Sequence, residues 1–249
     1  MTATNYTVRY NVFSDIPVLE VFMEGQGNKL EDFIIGYHGW TNVKESILTQ
    51  AIAFAKAGFH VVIPDAYLHG QRRPNNYQYQ MEKDLASVLK HNVEEFPRLV
   101  QAITEAYSVK HMAIFGTSMG GLTTGLIIAK YGQKLDGAVQ YIAAIDAVEQ
   151  LGQLYNQNQA SLSVNEDLAF IRSWNLADHL DQLESLPFFV YNGGKDNWIN
   201  TDINRQLIPK IQSNNEKVNI AYQIYEEEDH WVPFDIIEKS VDFIQKNIY

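Results

Sequence analysis

Short apolar stretches alternate with longer amphipathic stretches along most of the chain. The apolar stretches are rich in Val, Ile, Phe and Tyr, as is typical of strands buried on both faces of a sheet, and they fall at 33–37, 60–64, 112–116, 138–145, 188–191 and 218–225. The amphipathic stretches carry apolar residues at helical spacing, and they cover 44–56, 80–107, 122–130, 202–211 and 234–248. This alternation predicts an α/β protein with a mainly parallel sheet and helices on both faces.

Another pair of apolar stretches precedes this alternation near the start of the chain. Residues 6–13 and 18–24 flank the turn signal Ser14-Asp15-Ile16-Pro17, so we expect an antiparallel hairpin at one edge of a sheet of roughly eight strands. Pro97 falls inside the helical stretch 80–107, where its missing N–H is expected to break or kink the helix. A chain of 249 residues suits one α/β domain over 1–249.

The segment 147–185 departs from the alternation. It is polar, rich in Gln and Asn, and longer than the other connections, but it still contains apolar residues such as Leu151, Leu154 and Ile171. We expect a small helical insertion that acts as a cap, because insertions after the carboxyl ends of strands overhang the ligand crevice. An ordinary long connection with two helices is the alternative.

Composition narrows the class of protein. No apolar run approaches the roughly 18 residues of a membrane span. Lys and Arg number 19 against 30 Asp and Glu, and the formal net charge of −11 argues against nucleic acid and membrane surfaces as partners, since both are anionic. The absence of Cys excludes disulfides, thiolate metal sites and cysteine nucleophiles. The first residues lack the pattern of a signal peptide, so a cytoplasmic protein is expected.

The first candidate for chemistry is Gly116-Thr117-Ser118-Met119-Gly120, which matches G-x-S-x-G between a predicted strand and a predicted helix. A sharp turn at this place exposes the Ser118 hydroxyl above the sheet edge, and the two glycines remove side chains that would collide there. The N-terminus of the following helix favours developing negative charge. A glycine-rich helix start packed against the sheet, without catalytic function, is the alternative.

A serine nucleophile needs a base, and the base needs a partner that fixes its tautomer. Asp196 follows a predicted strand and a glycine turn, and His230 lies just beyond the last predicted strand, in the order Ser, Asp, His that accompanies such a turn on an open α/β sheet. Alternatives stay open for both residues. Asp196 is also suited to accept backbone hydrogen bonds in a turn, with Asp146 as the rival acid, and His230 follows an acidic run that favours a solvated side chain.

Four separated motifs, His38-Gly39-Trp40, the turn at 116–121, Gly194-Lys195-Asp196 and Asp229-His230, occur in this order along the chain. With them, nearly the whole chain resembles the α/β-hydrolase family, specifically compact single-domain esterases and prolyl-oligopeptidase-like hydrolases. The resemblance implies an α/β-hydrolase fold with Ser118 as nucleophile, His230 as general base and then acid, and Asp196 as orienting carboxylate. It also implies an oxyanion hole from the backbone N–H groups of Trp40 and Met119, with His38 bracing that loop.

Candidates for substrate binding lie near these motifs. His69 follows a predicted strand end and is expected to line the pocket mouth, and Arg72, with Arg73 beside it, is suited to hold a carboxylate through paired hydrogen bonds. A solvent-facing arginine pair is the alternative. Trp231 and Trp40 neighbour predicted catalytic positions and are expected to form an apolar acyl pocket.

These observations predict a serine hydrolase of small carboxylic esters that works through an acyl-enzyme. A peptidase of short peptides is the second hypothesis, and a non-catalytic ligand receptor that uses the hydrolase pocket is the third. The dinucleotide-binding, P-loop and zinc-protease motifs are absent from the sequence, so neither a cofactor nor a metal is implied. An edge hairpin is able to pair with a second copy, which makes a homodimer possible.

Overall fold

The computed structural model describes residues 5–25, 30–157 and 166–248, and these contain a twisted eight-stranded sheet. Its strands run in the order β1-β2-β4-β3-β5-β6-β7-β8. The strands are β1 (Tyr6–Phe13), β2 (Ile16–Met23), β3 (Glu31–Tyr37), β4 (Phe59–Pro64), β5 (Val109–Thr117), β6 (Gly137–Tyr141), β7 (Phe188–Gly193) and β8 (Ile220–Tyr225). β2 pairs antiparallel with β1 and β4, and every other pairing is parallel.

Helices cover both faces of this sheet. They are α1 (Leu48–Lys56), α2 (Met81–Ala106), α3 (Met119–Tyr131), α4 (Ala147–Gln157), α5 (Glu166–Ser173), α6 (Thr201–Asn214) and α7 (Phe234–Ile248). One apolar cluster lies between the sheet and α1 with α7, and a larger one lies between the opposite face and α2 to α6. The predicted α/β architecture, with an antiparallel hairpin at one edge, is confirmed.

Two predicted boundaries differ from the structure. α2 continues through Pro97, because the buried residues Val93, Phe96 and Leu99 hold this stretch against the sheet and outweigh one lost backbone hydrogen bond. The strand predicted over 138–145 ends at Tyr141.

Beyond that strand end, side-chain amides replace the hydrogen bonds of a sheet. The Ala143 carbonyl accepts from Asn192 and Asn204, and the Ile145 N–H donates to Asn204. This bend places Ile142 in the wall of the cavity described below.

The segment 147–185 contains α4 and α5, followed by two 3₁₀ turns; residues 158–165 lie outside the described part. α5 packs on α2, and α4 contributes Leu154 to the wall of the cavity. Its function as a cap stays a prediction. None of the described helices is both long enough and apolar enough to span a bilayer.

A buried charged network joins the edge hairpin to the amino ends of the parallel strands. The His60 ring lies between two carboxylates, with Nε2 at 3.0 Å from Glu20 and Nδ1 at 2.9 Å from Glu31. Burial alone would raise the pKa of Glu20, but hydrogen bonds from His60, Tyr107, Asn11 and Arg9 lower that pKa to about 2. These contacts fix the hairpin at the end of the sheet opposite to the site described below.

β1 forms the outer edge of the sheet, and alternate side chains on one face of it are exposed apolar groups. They are Tyr6, Val8, Tyr10 and Val12. An exposed edge strand of this kind is able to pair with another chain, so pairing with a second copy stays a prediction.

Candidate active site

Ser118 lies in a sharp turn between β5 and α3. Its backbone has φ 58° and ψ −117°, a strained conformation for a residue with a side chain. A Cβ atom on Gly116 would lie 2.0 Å from the Gly120 carbonyl oxygen, and one on Gly120 would lie 1.9 Å from the Tyr37 carbonyl oxygen. The two glycines are therefore required for the close approach that directs the Ser118 hydroxyl into the cavity.

A continuous hydrogen-bond chain joins Ser118, His230 and Asp196. His230 Nε2 lies 2.8 Å from Ser118 Oγ, and His230 Nδ1 lies 2.7 Å from Asp196 Oδ2. Because a carboxylate accepts hydrogen bonds, Nδ1 carries the proton and Nε2 is left as the acceptor for the serine hydroxyl. The structure thus brings together three residues that are far apart in the sequence.

Asp196 has a second contact that explains its position. Its Oδ1 atom accepts hydrogen bonds from the N–H groups of Trp198 at 2.8 Å and Ile199 at 2.9 Å, and its side chain is fully buried. One carboxylate therefore closes the turn after β7 with one oxygen and orients His230 with the other. The two hypotheses for Asp196, an acceptor of backbone hydrogen bonds in a turn and the carboxylate partner of His230, are therefore compatible.

Asp146, the rival acid, is placed elsewhere. Its Oδ1 accepts from the Glu149 N–H at 2.9 Å and from the Asn175 side chain at 3.1 Å. This is the contact of an N-terminal cap on α4, and the hydrogen bond that His230 Nδ1 donates goes to Asp196 instead.

Two backbone N–H groups next to Ser118 match the predicted oxyanion hole. Met119 is the first residue of α3, where a helix offers no internal acceptor, and the Trp40 N–H has no acceptor among the described residues. His38 donates from Nδ1 to the Gly39 carbonyl at 2.9 Å and accepts at Nε2 from the Ala66 N–H at 3.0 Å. The Gly39 carbonyl and the Trp40 N–H belong to one peptide group, so His38 fixes the direction of that N–H.

Burial of His38 has a consequence for acid stability. Removal from water lowers its pKa from 6.5 to about 4, so the native state binds fewer protons than the unfolded chain between these values. Stability is therefore lost as the pH falls from 6.5 to 4, and His38 should account for about 3 kcal/mol of that loss. We expect His38→Asn to reduce the pH dependence of the unfolding free energy, measured by denaturant titration at pH 7 and pH 4.

A matched control for this prediction is His179→Asn. His179 Nε2 donates to the Ser173 carbonyl at 2.8 Å, outside the cavity, so this variant removes an imidazole without touching the site. A His38→Asn protein that loses as much stability as the wild type on acidification would contradict the prediction.

A cavity of about 450 Å³ opens above Ser118 and reaches over both faces of the sheet. On the side of α2, α3 and α4, its wall is apolar and contains Met81, Leu85, Leu122 and Leu154. On the side of α1 and α7, apolar residues mix with uncharged polar residues, among them Ile47, Ile237, Asn42, Ser46, Thr49 and Gln50. Within residues 5–25, 30–157 and 166–248, those that line it include no Lys, Arg, Asp or Glu, so this part of the wall suits an uncharged ligand.

Trp231, Trp198 and Phe234 line the cavity and are also largely exposed, at 64%, 59% and 59%. Trp40 lines it as well. Trp231, predicted as a substrate-binding residue, therefore lies where substrate would contact it.

The other two predicted substrate-binding residues lie away from the cavity. His69 is fully buried, accepting from the Thr41 N–H at 3.1 Å and contacting the Tyr67 carbonyl at 2.8 Å. Arg72 is paired with Glu95 through both terminal nitrogens. The predictions that His69 lines the pocket mouth and that Arg72 holds a substrate carboxylate are therefore wrong, because contacts within the protein already occupy both side chains.

A buried ion pair explains the shape of the loop that carries these two residues. Lys44 Nζ lies 2.6 Å from Asp65 Oδ2, and both side chains are almost fully buried. The Asp65 carboxylate also accepts from the N–H groups of Lys44 and Gln71. This ion pair holds the loop after β4 against the segment that follows Trp40. It therefore helps to fix the position of the Trp40 N–H in the predicted oxyanion hole.

The sequence analysis missed Gln50 as a residue of the site. Gln50 lines the cavity and is only 7% exposed. A signal exists, because Gln50 lies three residues after Ile47 and four before Phe54, on the buried face of α1. A polar residue on the apolar stripe of a helix is the feature that would have identified it.

The sheet order, the turn at Ser118 and the residues gathered above it define a serine hydrolase of the α/β-hydrolase fold. Residues 46–248 match the Prolyl oligopeptidase family, and the chain belongs to that family. It is 27% identical over 202 residues to the Escherichia coli (strain K12) protein "Esterase YjfP", with 78% of this chain and 80% of that protein covered. The family resemblance inferred from the sequence is confirmed.

Solved structures show the same fold at low sequence identity. TT1662 from Thermus thermophilus superposes with a TM-score of 0.76 at 14% identity, over 98% of both chains. The S-formylglutathione hydrolase FrmB from Staphylococcus aureus superposes with a TM-score of 0.66 at 13% identity, over 100% of this chain and 99% of that chain.

Proposed function

We propose that the protein hydrolyses small, uncharged carboxylic esters through an acyl-enzyme formed on Ser118. The observation that carries this proposal is the continuous hydrogen-bond chain from Ser118 through His230 to Asp196, which ends in an uncharged cavity. A serine hydroxyl is a weak nucleophile at neutral pH, and this chain supplies both the base and the group that orients the base.

The first half of the reaction forms the acyl-enzyme. Ser118 Oγ attacks the ester carbonyl carbon while His230 Nε2 takes the hydroxyl proton, and Asp196 stabilises the resulting imidazolium. The carbonyl oxygen becomes an oxyanion that accepts hydrogen bonds from the Trp40 and Met119 N–H groups. Each fixed donor of this kind is worth about 3 kcal/mol in the transition state. His230 then protonates the leaving alcohol as the carbon–oxygen bond breaks.

The second half regenerates the enzyme. A water molecule gives a proton to His230 Nε2 and attacks the acyl carbon, and the second tetrahedral intermediate collapses to release the carboxylic acid. His230 returns the proton to Ser118 Oγ. The cycle consumes one ester and one water and yields one acid and one alcohol.

The cavity favours esters over peptides as substrates. Recognition of a peptide terminus uses a charged partner or a set of fixed polar groups, and the residues that line this cavity include no charged side chain of either kind. A relative in the family bears the name esterase. Because the chain belongs to the Prolyl oligopeptidase family, peptidase activity is the second candidate function. A higher kcat/KM on dipeptide amides than on esters of comparable size would favour peptidase activity over ester hydrolysis.

Labelling with a small fluorophosphonate tests the nucleophile directly. We expect the intact mass of the wild type to increase by one adduct within minutes, and Ser118→Ala to remain unlabelled while it stays folded. Ser46→Ala is the matched control, because Ser46 is another cavity serine whose removal should leave labelling unchanged. A folded wild type that takes no label would reject the proposed mechanism and favour a receptor that binds esters without cleaving them.

A further inference from the structure

Gln50 is a buried polar side chain without a hydrogen bond. The residue is 7% exposed and lines the catalytic cavity. Neither amide atom of Gln50 has a hydrogen-bond partner in the part of the chain that the structure describes. The Gln50 amide is not sealed from the cavity, so a ligand bound there is able to supply the hydrogen bonds that the protein does not.

The other buried amide side chains differ from Gln50 in their hydrogen bonding. Asn92, Gln140, Gln150 and Asn204 are equally buried amides, and each makes hydrogen bonds to backbone or side-chain groups. Each of the remaining buried polar residues in the described ranges also has a partner. Gln140 Oε1 and, in the cavity wall, Thr117 Oγ1 also lack a partner, but among the buried polar residues of the described ranges Gln50 is the one that lines the cavity with both its amide donor and its amide acceptor free.

Gln50 lies on the side of the cavity where the leaving alcohol of the substrate would bind. In the proposed mechanism the leaving alcohol lies next to His230, which protonates it. Val232 and Ile237, which follow His230 in the sequence, line the cavity together with Gln50, and α1 packs against α7. The wall beside His230 therefore continues into the start of α1, where Gln50 lies.

The acyl group of the substrate would lie against a different part of the cavity wall from the leaving alcohol. On the opposite face of the sheet, the described part of the wall contains the apolar side chains of Met81, Leu85, Leu122 and Leu154. An acyl chain without polar groups fits this wall, because it buries apolar surface there and leaves no hydrogen-bonding group unsatisfied.

We propose that Gln50 is a specificity-determining residue that hydrogen-bonds a hydroxyl group of the leaving alcohol, so that the preferred substrates are esters of polyhydroxylated alcohols with apolar acyl chains. A hydroxyl both donates and accepts, as does the Gln50 amide. The nearby uncharged polar residues Asn42, Ser46 and Thr49 extend the same side of the cavity for further hydroxyls. This inference rests on the proposed ester hydrolysis.

The test compares two esters that share an acyl group and differ in the alcohol. Glycerol monobutyrate and ethyl butyrate would be assayed with the wild type and with Gln50→Leu, which keeps a side chain of similar size. We expect kcat/KM on glycerol monobutyrate to fall about tenfold in Gln50→Leu, while kcat/KM on ethyl butyrate changes less than about twofold. Gln101→Leu is the matched control, since Gln101 is exposed on α2 and does not line the cavity, and the same substitution there should leave the ratio unchanged.

Stability gives an independent measurement. Replacing an unpartnered buried amide by an apolar side chain should keep or raise the unfolding free energy of the free protein, whereas loss of a structural hydrogen bond would lower it. If Gln50→Leu does not fold, Gln50→Met tests the same point with a more adaptable side chain.

The possible outcomes separate this inference from the proposed function. An unchanged ratio of the two kcat/KM values in folded Gln50→Leu would overturn the inference while ester hydrolysis stands. A change in the preference between ethyl butyrate and ethyl octanoate, instead of between alcohols, would also overturn it, because Gln50 would then contact the acyl chain. A wild type that neither hydrolyses esters nor takes the fluorophosphonate label would overturn the proposed function and the inference with it.

Discussion

Asp196→Asn is expected to lower kcat on ester substrates by about 10⁴-fold while the protein stays folded. The Asn oxygen is able to replace Oδ1 as acceptor for the N–H groups of Trp198 and Ile199. Its NH₂ group then faces His230 Nδ1 and donates a hydrogen bond where the carboxylate accepted one. This forces the proton onto Nε2, and the imidazole loses the lone pair that takes the Ser118 proton.

The measurement is steady-state kinetics on an ester, together with circular dichroism and an unfolding curve to show that the fold is retained. Asp146→Asn is the matched control, because Asp146 also follows a strand of the sheet but caps α4. We expect it to lower stability by about 1 kcal/mol at most and to leave kcat unchanged. The assignment of the acid would be wrong if Asp146→Asn abolished turnover and Asp196→Asn did not.

Gly120→Ala is expected to destabilise the native state by about 3 kcal/mol or more. The added methyl group would lie 1.9 Å from the Tyr37 carbonyl oxygen and 2.9 Å from that of His38. Both are backbone atoms of β3 and the loop that follows it, so the clash is relieved only by separating α3 from the central strand of the sheet. Activity should fall with stability, because Ser118 and Trp40 lie on the two segments that are forced apart.

Denaturant unfolding would measure this effect, with Gly152→Ala as the matched control. Gly152 lies inside α4, and a Cβ atom there would have no neighbour within 4 Å. Alanine at this position should be neutral or stabilise the protein by up to about 1 kcal/mol. Equal stability of the two variants would show that the turn tolerates a side chain, against the geometry described here.

The sequence predicted the strands and the three residues of the hydrogen-bond chain because both depend on local patterns. A strand buried on both faces is apolar throughout, as in 60–64 and 188–191, and each such strand was placed within a few residues. The turn at Ser118 requires glycine on either side, and Asp196 and His230 each follow a strand end. Parallel strands bring their carboxyl ends to one edge, which is why three distant residues meet.

The parts that were not predicted depend on contacts between distant segments. The strand β6 ends early because the Asn192 and Asn204 side chains hydrogen-bond the backbone carbonyl of Ala143, beyond the strand end. The local sequence around β6 does not predict these two contacts. His69 and Arg72 look suited to bind substrate until Thr41 and Glu95 are seen to occupy them. Gln50 becomes informative only when the absence of a partner is known.

The contact between Gly120 and the end of β3 also bears on when the proposed oxyanion hole would be assembled. The turn that carries Ser118 touches the backbone of Tyr37 and His38, and His38 orients the peptide that carries the Trp40 N–H, so the proposed nucleophile and both proposed donors lie on segments that are in direct contact. The dipoles are therefore aligned when the chain folds, and not during each catalytic cycle. The barrier to ester cleavage would then contain little reorganisation energy from this part of the protein.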